Sequence, residues 1–546
     1  MRNAVCNYAI LLILLSLAFP IGQVHSAEKA PEPTIPQHIE QLLAQEGPSS
    51  WAPDINRPML REFYTPRQYQ PIWDATWGMS ENAALFRDAL IDSHLEGLDP
   101  SEYHIDGIRY LWKSNRIINR ARLELLLTDA FLRYSIEVRA GYQYPRAVDP
   151  RWYVDPPKVD PITLLRQAID ERNLPKLLRE LPPPHPQYQL LKRALANYRQ
   201  LQSQTPTWPT VPGRNTLRLG DRDPAIIPLR QRLISEGFLA NTPPTYADLL
   251  DTDVEQAVRD FQHQYGHEVD GMVGRITRRS LNISLDDRIK QIQQNMERWR
   301  WLPRDLGQRY VMVNMAGYQL ELVENGTPSL EMRVIIGKTY RGTPAFANQI
   351  EYLDINPTWH VPASIAKQDL LPKIQKDGQF LTTNRMRVFD SWKKDATEID
   401  PLQVDWTTLN EDNFPYYLVQ DPGPNNSLGN IKFMFPNSWS IYLHDTPSRE
   451  LFNKEVRTFS SGCIRIERPI TLAYKLLNDE GWDQRKIRDT IRDGKTQRIT
   501  LKKTVPIYLL YWTAWVDEHG RVQFRDDIYD RNENIATGPV EILPNS

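Results

Sequence analysis

The sequence predicts an α+β protein of several domains: a helical N-terminal scaffold, a small three-helix module and a mostly-β domain with an inserted segment. Three observations lead to this prediction. The length of 546 residues corresponds to about three or four domains of ordinary size. Apolar residues recur at three- and four-residue intervals between about 37 and 200, as in amphipathic helices. From Tyr310 onward they alternate with polar residues, as in β-strands.

Composition limits the classes of partner. Lys and Arg total 66 and Asp and Glu total 68, which gives a formal net charge of −2. This near-neutral balance argues against binding of nucleic acid or of an anionic membrane through bulk charge. With 40% hydrophobic and 25% charged residues, the chain has the composition of packed globular domains, and its 43 prolines predict many loops.

Residues 1–26 have the pattern of a signal peptide for export. Arg2 supplies a positive charge, an apolar stretch follows over 8–19, and Val24–Ala27 offers small residues for cleavage near Ser26. Because the apolar stretch is shorter than the roughly 20 residues that span a bilayer, we favour cleavage over an uncleaved inner-membrane anchor. We therefore expect the mature protein in the periplasm, with one cysteine and no partner for a disulfide.

A helical scaffold domain is predicted over 27–205. Helices are expected at 120–138, 162–169 and 187–201. Asp160 and Pro161 supply the cap and first turn of the second of these helices. The region shows no catalytic grouping of residues, so its predicted role is structural.

A compact unit is predicted over 213–284, after a proline-containing linker. Leu229 and Leu233 share one helix face, and Val258 and Phe261 belong to the apolar face of the next helix. This ordered pattern resembles the peptidoglycan-binding domain 1 family, a small three-helix module. The resemblance implies binding to glycan or peptide of the bacterial wall, and a generic helical bundle is the alternative.

The mostly-β domain is predicted over 305–500, followed by a C-terminal extension over 501–546. Strands are expected at 310–314, 318–323, 330–336, 352–356, 431–435 and 440–444. A segment of mixed helix and loop over 365–426 is too long for an ordinary connection and is interpreted as an insertion. In the extension, 505–524 is strand-like, with a turn at Gly520.

His444 and Cys463 carry the chemistry expected of this domain. They lie 19 residues apart, with His444 at the end of a predicted strand and Cys463 after the Ser461-Gly462 turn. A cysteine nucleophile needs a base or an ion-pair partner, because the thiolate is the reactive form. A histidine across a connecting loop supplies that at hydrogen-bond distance, and the turn offers backbone N–H groups for an oxyanion hole. The alternative is an inert buried thiol.

These residues resemble the signature of the YkuD-type L,D-transpeptidases, a His followed by a Ser-x-Gly-Cys-x-Arg block. The similarity is greatest to the large YcbB-like branch, and it covers essentially the whole mature chain. It is carried by the segments Asn356–Pro362, Phe433–Asn437, Tyr442–Pro447 and Tyr511–Trp515. Ser461 departs from many members of the family, which have His or Arg at that position, so a side-chain role there is in question.

The resemblance implies transfer between peptide stems of peptidoglycan through a thioester on Cys463. The thiolate attacks the carbonyl of the third stem residue, diaminopimelate, and expels the terminal D-Ala. His444 activates the thiol and moves the protons, while the N–H groups of Gly462 and Cys463 stabilise the oxyanion. Further residues expected to contact substrate are Arg465, Tyr442, Trp359 and Ser461. Arg465 bracing the loop, and core positions for the two aromatic residues, are the alternatives.

Several functions remain open at this point. The acceptor is another stem in a 3→3 cross-link, a lipoprotein lysine, or water in a thiol carboxypeptidase or endopeptidase. A catalytically silent wall-binding scaffold is a further alternative. No cofactor or metal is expected, and the family resemblance implies inhibition by carbapenems through acylation of the thiol.

Two other enzyme classes lack support in the sequence. Ser364 and Lys367 match the S-x-x-K motif of penicillin-binding proteins, but the Lys-Thr/Ser-Gly strand that this fold also needs is missing from the chain. The ten histidines are dispersed, without the spacing of a zinc peptidase.

Overall fold

The structure is a computed structural model that describes residues 32–47, 51–75, 78–205 and 207–537. The predicted signal peptide over 1–26 lies outside these residues. Within the described ranges, no helix combines the length and the apolar character needed to cross a bilayer.

The N-terminal region is helical, as predicted. Its helices are α1 (Ile35–Ala44), α2 (Arg57–Tyr64), α3 (Glu81–Ile91), α4 (Ile105–Leu111), α5 (Ile117–Ala140), α6 (Pro145–Val148), α7 (Pro161–Asp170), α8 (Leu174–Glu180) and α9 (Pro186–Gln204). Strands β1 (Asp74–Ala75) and β2 (Gly78–Met79), which pair antiparallel, lie between α2 and α3 in the chain. Helix α5 is buried on most of its circumference, including the polar side chains of Glu124, Thr128 and Asp129. Asp160 caps α7 as predicted, accepting the N–H groups of Ile162 and Thr163 at 3.1 Å each.

Three helices form the small module, and a fourth leads out of it. They are α10 (Ile226–Ser235), α11 (Thr252–Tyr265), α12 (Arg275–Leu281) and α13 (Leu285–Arg300). Asp251 caps α11 by accepting the N–H of Val254 at 3.1 Å, and Gly266 ends it in the left-handed conformation at φ +70°. The predicted module is therefore a set of short helices around one apolar centre.

The C-terminal domain is built on a nine-stranded sheet. Its strands are β3 (Arg309–Asn314), β4 (Gln319–Glu324), β5 (Thr327–Gly337), β6 (Phe346–Ile355), β11 (Ile431–Met434), β12 (Leu443–His444), β13 (Thr458–Ser460), β14 (Ile464–Ile466) and β15 (Gln497–Leu510), in the spatial order β13-β5-β14-β12-β11-β6-β15-β3-β4. Strand β5 pairs with β4 through its first half and with β14 through its second half, so the sheet closes on itself. Helices α17 (Pro469–Leu477) and α18 (Gln484–Asp493) connect β14 to β15.

The insertion between β6 and β11 forms a small subdomain, referred to below as the cap. It contains β7 (Trp359–His360), α14 (Ala363–Ile365), a π-helical turn (Ala366–Leu370), α15 (Leu371–Lys376), α16 (Phe380–Thr383), β8 (Met386–Phe389), β9 (Glu398–Ile399) and β10 (Tyr417–Gln420). Four of its strands pair in the order β7-β10-β8-β9. The cap has a core of its own, which includes Val361, Leu370 and Leu418. It therefore begins about six residues before the predicted start at 365.

The predicted fold class is confirmed, but the apolar cores divide the chain differently from the predicted domains. Helices α1 to α5, α7 and α8 share one core, whereas α9 packs into a second core together with the module and the sheet. Strand β15 passes through residue 500, where the catalytic domain was predicted to end, and pairs with both β6 and β3. After it come β16 (Ala514–Val516) and β17 (Val522–Phe524), joined by a turn at Gly520.

The strand predicted over 440–444 is shorter in the structure. Only Leu443 and His444 are in strand conformation, and Ser440 adopts the left-handed conformation at φ +54°. The cause is Asn437, whose side-chain oxygen accepts the N–H groups of Trp439 and Ile441 and holds 437–441 in a turn.

Candidate active site

A cavity of about 470 Å³ opens between the cap and the edge of the sheet where β12 and β14 meet. Six of the seven predicted site residues line it: Trp359, Tyr442, His444, Ser461, Cys463 and Arg465. The structure thus brings together side chains that the sequence separates by more than 100 residues. The seventh residue, Gly462, is buried behind the cavity wall.

Strand pairing places the predicted base and nucleophile side by side. Strands β12 and β14 are parallel neighbours, with His444 opposite Arg465 and Leu443 opposite Ile464. Cys463 directly precedes β14, and the Ile464 N–H donates to the Tyr442 carbonyl at 3.1 Å. The two functional groups therefore come from adjacent strand ends at one edge of the domain.

The imidazole of His444 is buried and fixed by its own backbone. Its Nδ1 lies 2.5 Å from the Asp445 carbonyl oxygen, so Nδ1 carries the proton and Nε2 is left as the basic nitrogen. The Asp445 carboxylate accepts the N–H of Asn430 at 2.9 Å and pairs with Arg449 at 3.2 Å, which holds this corner of the site. Burial, assisted by the charge of Arg465, lowers the pKa of His444 to about 3. The ring is therefore neutral at neutral pH.

The thiol of Cys463 is half-buried and lines the cavity. Its Sγ contacts the Ser440 carbonyl oxygen at 3.7 Å. The sequence predicted a hydrogen bond between this thiol and the imidazole of His444. Among the described residues, no such hydrogen bond is present. Burial raises the pKa of the Cys463 thiol, although the Tyr442 hydroxyl and the charge of Lys432 act to lower it. These shifts favour a neutral thiol beside a neutral imidazole, so of the two roles that the sequence left open for His444, base and ion-pair partner, they favour the base.

Gly462 does not have the orientation predicted for an oxyanion-hole donor. It adopts φ +118°, a conformation that favours glycine, and its N–H donates inward to Ser460 Oγ at 3.1 Å. Its carbonyl oxygen accepts the Thr343 hydroxyl at 2.7 Å. Within the described ranges neither the Ser461 N–H nor the Cys463 N–H has an acceptor, and of the two predicted donors, Gly462 and Cys463, only Cys463 has an N–H that is free to bind an oxyanion.

Family comparisons assign three parts of the chain. Residues 58–195 match the model of a scaffold domain, 222–281 match a "Putative peptidoglycan binding domain", and 308–499 match the L,D-transpeptidase catalytic domain of YkuD type. The last match contains both His444 and Cys463. Residues 308–499 are therefore similar to the catalytic domain of L,D-transpeptidases.

One curated relative has a name that agrees with the match over 308–499. A protein of Haemophilus influenzae named "Putative L,D-transpeptidase" is 36% identical over 228 residues, which cover 41% of this chain and 45% of the relative. The chain spans about half the length of the curated relatives that it matches.

Two crystal structures of L,D-transpeptidases are also similar to the chain. The one from Xylanimonas cellulosilytica shares 15% identity with a TM-score of 0.16, and covers 55% of this chain and 99% of its own. The one from Stackebrandtia nassauensis shares 13% identity with a TM-score of 0.20, and covers 55% of this chain and 96% of its own. Scores this low carry no information on the arrangement of the site.

Lys432 is a charged residue near the site that was not predicted from the sequence. It lies on β11 directly opposite His444, and its Nζ is 4.1 Å from the centre of the Tyr442 ring. Asp354, its cross-strand neighbour on β6, pairs instead with Arg498 at 2.8 Å. Burial lowers the pKa of Lys432, while its charge favours the thiolate of Cys463. The sequence feature that could have revealed Lys432 is a lysine between apolar residues in a predicted strand.

The cap is tied to the catalytic loop by charged residues that were also missed. Asp369 of the cap pairs with Arg341 at 2.5 Å and with Lys338 at 3.5 Å. Arg341 also donates to Ser461 Oγ at 2.8 Å, beside the nucleophile. A guanidinium thus occupies the neighbourhood of Ser461, although it comes from 120 residues away in the chain. Residues 338, 341, 369 and 461 are called the cap latch below.

Arg465 and the two predicted pocket aromatics line the cavity, which leaves their substrate roles as predictions. Burial lowers the pKa of Arg465, and its Nε is buried without a hydrogen-bond partner. Tyr442 packs edge-on against the His444 ring, with ring centres 5.7 Å apart. In the described residues, no group of three or more His, Cys, Asp or Glu side chains is arranged to hold a metal ion.

Proposed function

We propose that this chain is a periplasmic L,D-transpeptidase that forms 3→3 cross-links between peptidoglycan stems, with Cys463 as nucleophile and His444 as base. The observation that carries the proposal is the shared cavity of these two side chains within an L,D-transpeptidase catalytic domain. The module over 222–281 supports peptidoglycan as the substrate, because it matches a family described as wall-binding.

The proposed acylation begins from the neutral pair. As Cys463 Sγ bonds to the carbonyl carbon of the third stem residue, its proton passes to His444 Nε2. The negative charge that develops on the carbonyl oxygen is stabilised by the Cys463 N–H. When the tetrahedral intermediate collapses, the C–N bond to D-Ala breaks and His444 returns the proton to the leaving amine. The product is a thioester on Cys463.

Transfer to the acceptor reverses these proton movements. The side-chain amine of a second stem attacks the thioester carbonyl, His444 takes a proton from the amine, and the Cys463 sulfur leaves and recovers a proton. The cap covers the cavity and supports a second stem as acceptor, since enclosure limits the access of water to the thioester. Hydrolysis and attachment to a protein lysine are the competing outcomes.

Purified disaccharide-tetrapeptide incubated with the full chain tests the proposal. Mass spectrometry is expected to find a dimer that has lost one D-Ala, and Cys463→Ala is expected to abolish it. A tripeptide alone would identify a hydrolase, and an unchanged yield with Cys463→Ala would exclude Cys463 as the nucleophile. The matched control is His519→Ala, an exposed histidine in the β16–β17 turn, which is expected to retain activity.

A carbapenem provides an independent test of the thiol. We expect opening of the strained lactam ring by Cys463 and an increase in intact mass equal to one inhibitor molecule. Cys463→Ser or Cys463→Ala should remove this adduct. An adduct that persists in both variants would show that the acylated residue lies elsewhere.

A further inference from the structure

A second cavity, of about 160 Å³, lies where the scaffold meets the outer side of the barrel. It is formed by the start of α9, the end of α13, strands β3 and β4, and the segment after β15. Its aromatic and acidic lining consists of His185, Trp299, Tyr310, Glu321, Trp512 and Trp515. None of these residues lines the cavity at Cys463.

Three ring nitrogens in this lining are buried without a hydrogen-bond partner. They are His185 Nε2, Trp299 Nε1 and Trp512 Nε1, and each side chain is more than nine-tenths buried. Buried polar groups are nearly always paired, because leaving one unpaired costs the free energy of its lost hydration. Because these nitrogens have almost no accessible surface in this structure, a ligand supplies their missing partners only by shifting the rings.

The ring geometry limits what that ligand presents. Trp299 stacks on Trp512 with ring centres 4.3 Å apart and planes 13° from parallel, and His185 packs against Trp299 at 5.1 Å. Since stacking covers one face of each indole, a ligand in the cavity meets the outer faces or the ring edges. Aromatic edges carry partial positive charge, which favours oxygen atoms and disfavours a cation.

Glu321 adds a group that suits hydroxyls. It faces Glu331 across β4 and β5, and Gln319 donates to both carboxyl groups at 3.3 and 3.1 Å. Burial, with the neighbouring charge of Glu331, raises the pKa of Glu321 to about 7. A carboxyl group that is partly protonated at neutral pH both accepts and donates hydrogen bonds, as a hydroxyl-bearing ligand requires. Trp515 is half-buried in the same lining and offers an apolar surface.

We propose that this cavity binds an uncharged ring that carries several hydroxyl groups, namely a pyranose sugar. Its hydroxyl oxygens accept from the two indole N–H groups, a hydroxyl donates to His185 Nε2, and Glu321 pairs with a further hydroxyl. The C–H face of the ring packs on Trp515. Sugar binding here is independent of the transfer reaction at Cys463, so either property can fail without the other.

Chitobiose, the disaccharide of N-acetylglucosamine, is the probe, and the full chain is the sample. In nitrogen-15 NMR spectra, the indole N–H signals of Trp299 and Trp512 should shift on titration, each assigned from a single Trp→Phe variant. Trp515→Ala should weaken binding by about tenfold, and Glu321→Gln, which keeps hydrogen-bonding capacity, should change it by less than about threefold. The matched control is Trp392→Ala, an exposed tryptophan of the cap outside both linings.

Two outcomes would overturn the proposal. One is chitobiose binding that leaves both indole signals in place and is unchanged by Trp515→Ala, which would locate the sugar in another part of the chain. The other is binding of tetramethylammonium, lost in Glu321→Gln, without binding of chitobiose, which would identify a site for organic cations. Because the indole signals are read in the unsubstituted protein, the test holds even if Trp515→Ala fails to fold.

Discussion

The cavity at Cys463 and the cavity at Trp512 lie on the same closed sheet but differ in the side chains that line them. The first is lined by charged and titratable side chains such as Lys338, Asp369 and Arg465, the second mainly by stacked aromatic rings. The first is also larger, about 470 Å³ against about 160 Å³. A reacting peptide needs charges and movable protons, whereas a bound ring needs shape and fixed hydrogen bonds. The proposals for the two cavities, catalysis for the first and sugar binding for the second, follow from this difference in lining.

Substitution of the base has the largest expected effect on the first cavity. His444→Ala should lower the turnover number for transfer by roughly 10²- to 10⁴-fold, the usual contribution of a general base. Chitobiose binding at the second cavity should be unchanged, because His444 is absent from its lining. Steady-state kinetics by mass spectrometry measure the first quantity and NMR titration the second. A loss of less than about threefold in turnover would exclude His444 as the base.

The two cavities share one electrostatic feature, a buried neutral histidine in each. Burial lowers the pKa of His444 to about 3 and that of His185 to about 4. The unfolded chain titrates near 6.5, so between that pH and the folded pKa it binds one proton more per histidine than the folded chain. The free energy of unfolding should therefore decrease by about 1.4 kcal/mol per pH unit for each histidine as the pH falls through that window.

Urea unfolding of His444→Gln and His185→Gln across roughly pH 7.5 to pH 4.5 measures this contribution. Each variant should lose less stability than the unsubstituted protein over this range, and the two should agree in slope. Above about pH 6.5 neither histidine contributes to the pH dependence, which provides the internal control. A pH dependence that is the same in all three proteins would show that folding does not lower the pKa of either histidine.

Substitution of Lys432 should lower the transfer rate at the first cavity by a smaller factor than substitution of His444. Lys432→Met removes a positive charge that favours the Cys463 thiolate, so the thiol pKa should rise by up to about one unit and the transfer rate should fall by up to about tenfold. Lys432→Arg should restore most of the rate because it restores the charge. The rate of Cys463 alkylation by iodoacetamide as a function of pH reports the pKa directly. An unchanged alkylation profile would mean that Lys432 acts only through packing on Tyr442.

The difference between the two cavities also explains how much of the molecule could be predicted from the sequence. His444, Tyr442, Ser461 and Cys463 lie within 22 residues of one another, and residue chemistry with a family resemblance located them without coordinates. The helical region and most strands followed from apolar periodicity. Strand β11 was predicted, but its pairing with β12, which brings Lys432 opposite His444, is a long-range contact that periodicity does not encode.

The features that were missed depend on such long-range contacts. His185, Glu321 and Trp512 look like ordinary surface or core residues in sequence, and only the packing of three chain segments makes them one lining. The N–H of Gly462 donates to Ser460 Oγ, and its carbonyl oxygen accepts from Thr343. The sequence shows that a glycine lies in this turn, but it does not show in which direction the N–H points. The apolar cores do not follow the predicted domain boundaries for a similar reason, since α9 and β15 also pack against elements outside their predicted domains.

Breaking the cap latch should have the smallest effect on the transfer reaction. Asp369 is about a quarter exposed, and partly exposed ion pairs contribute on the order of 1 kcal/mol or less. Asp369→Asn should therefore raise the KM for the stem peptide by about threefold to fivefold and leave the turnover number nearly unchanged, because the cap positions substrate and does not touch the reacting thiol. Glu398→Gln, a cap carboxylate that pairs with Arg387 and not with the latch, is the matched control. A fall in turnover number with unchanged KM would contradict this role, and it would mean that Arg341, released from Asp369, displaces the loop that carries Ser461 and Cys463.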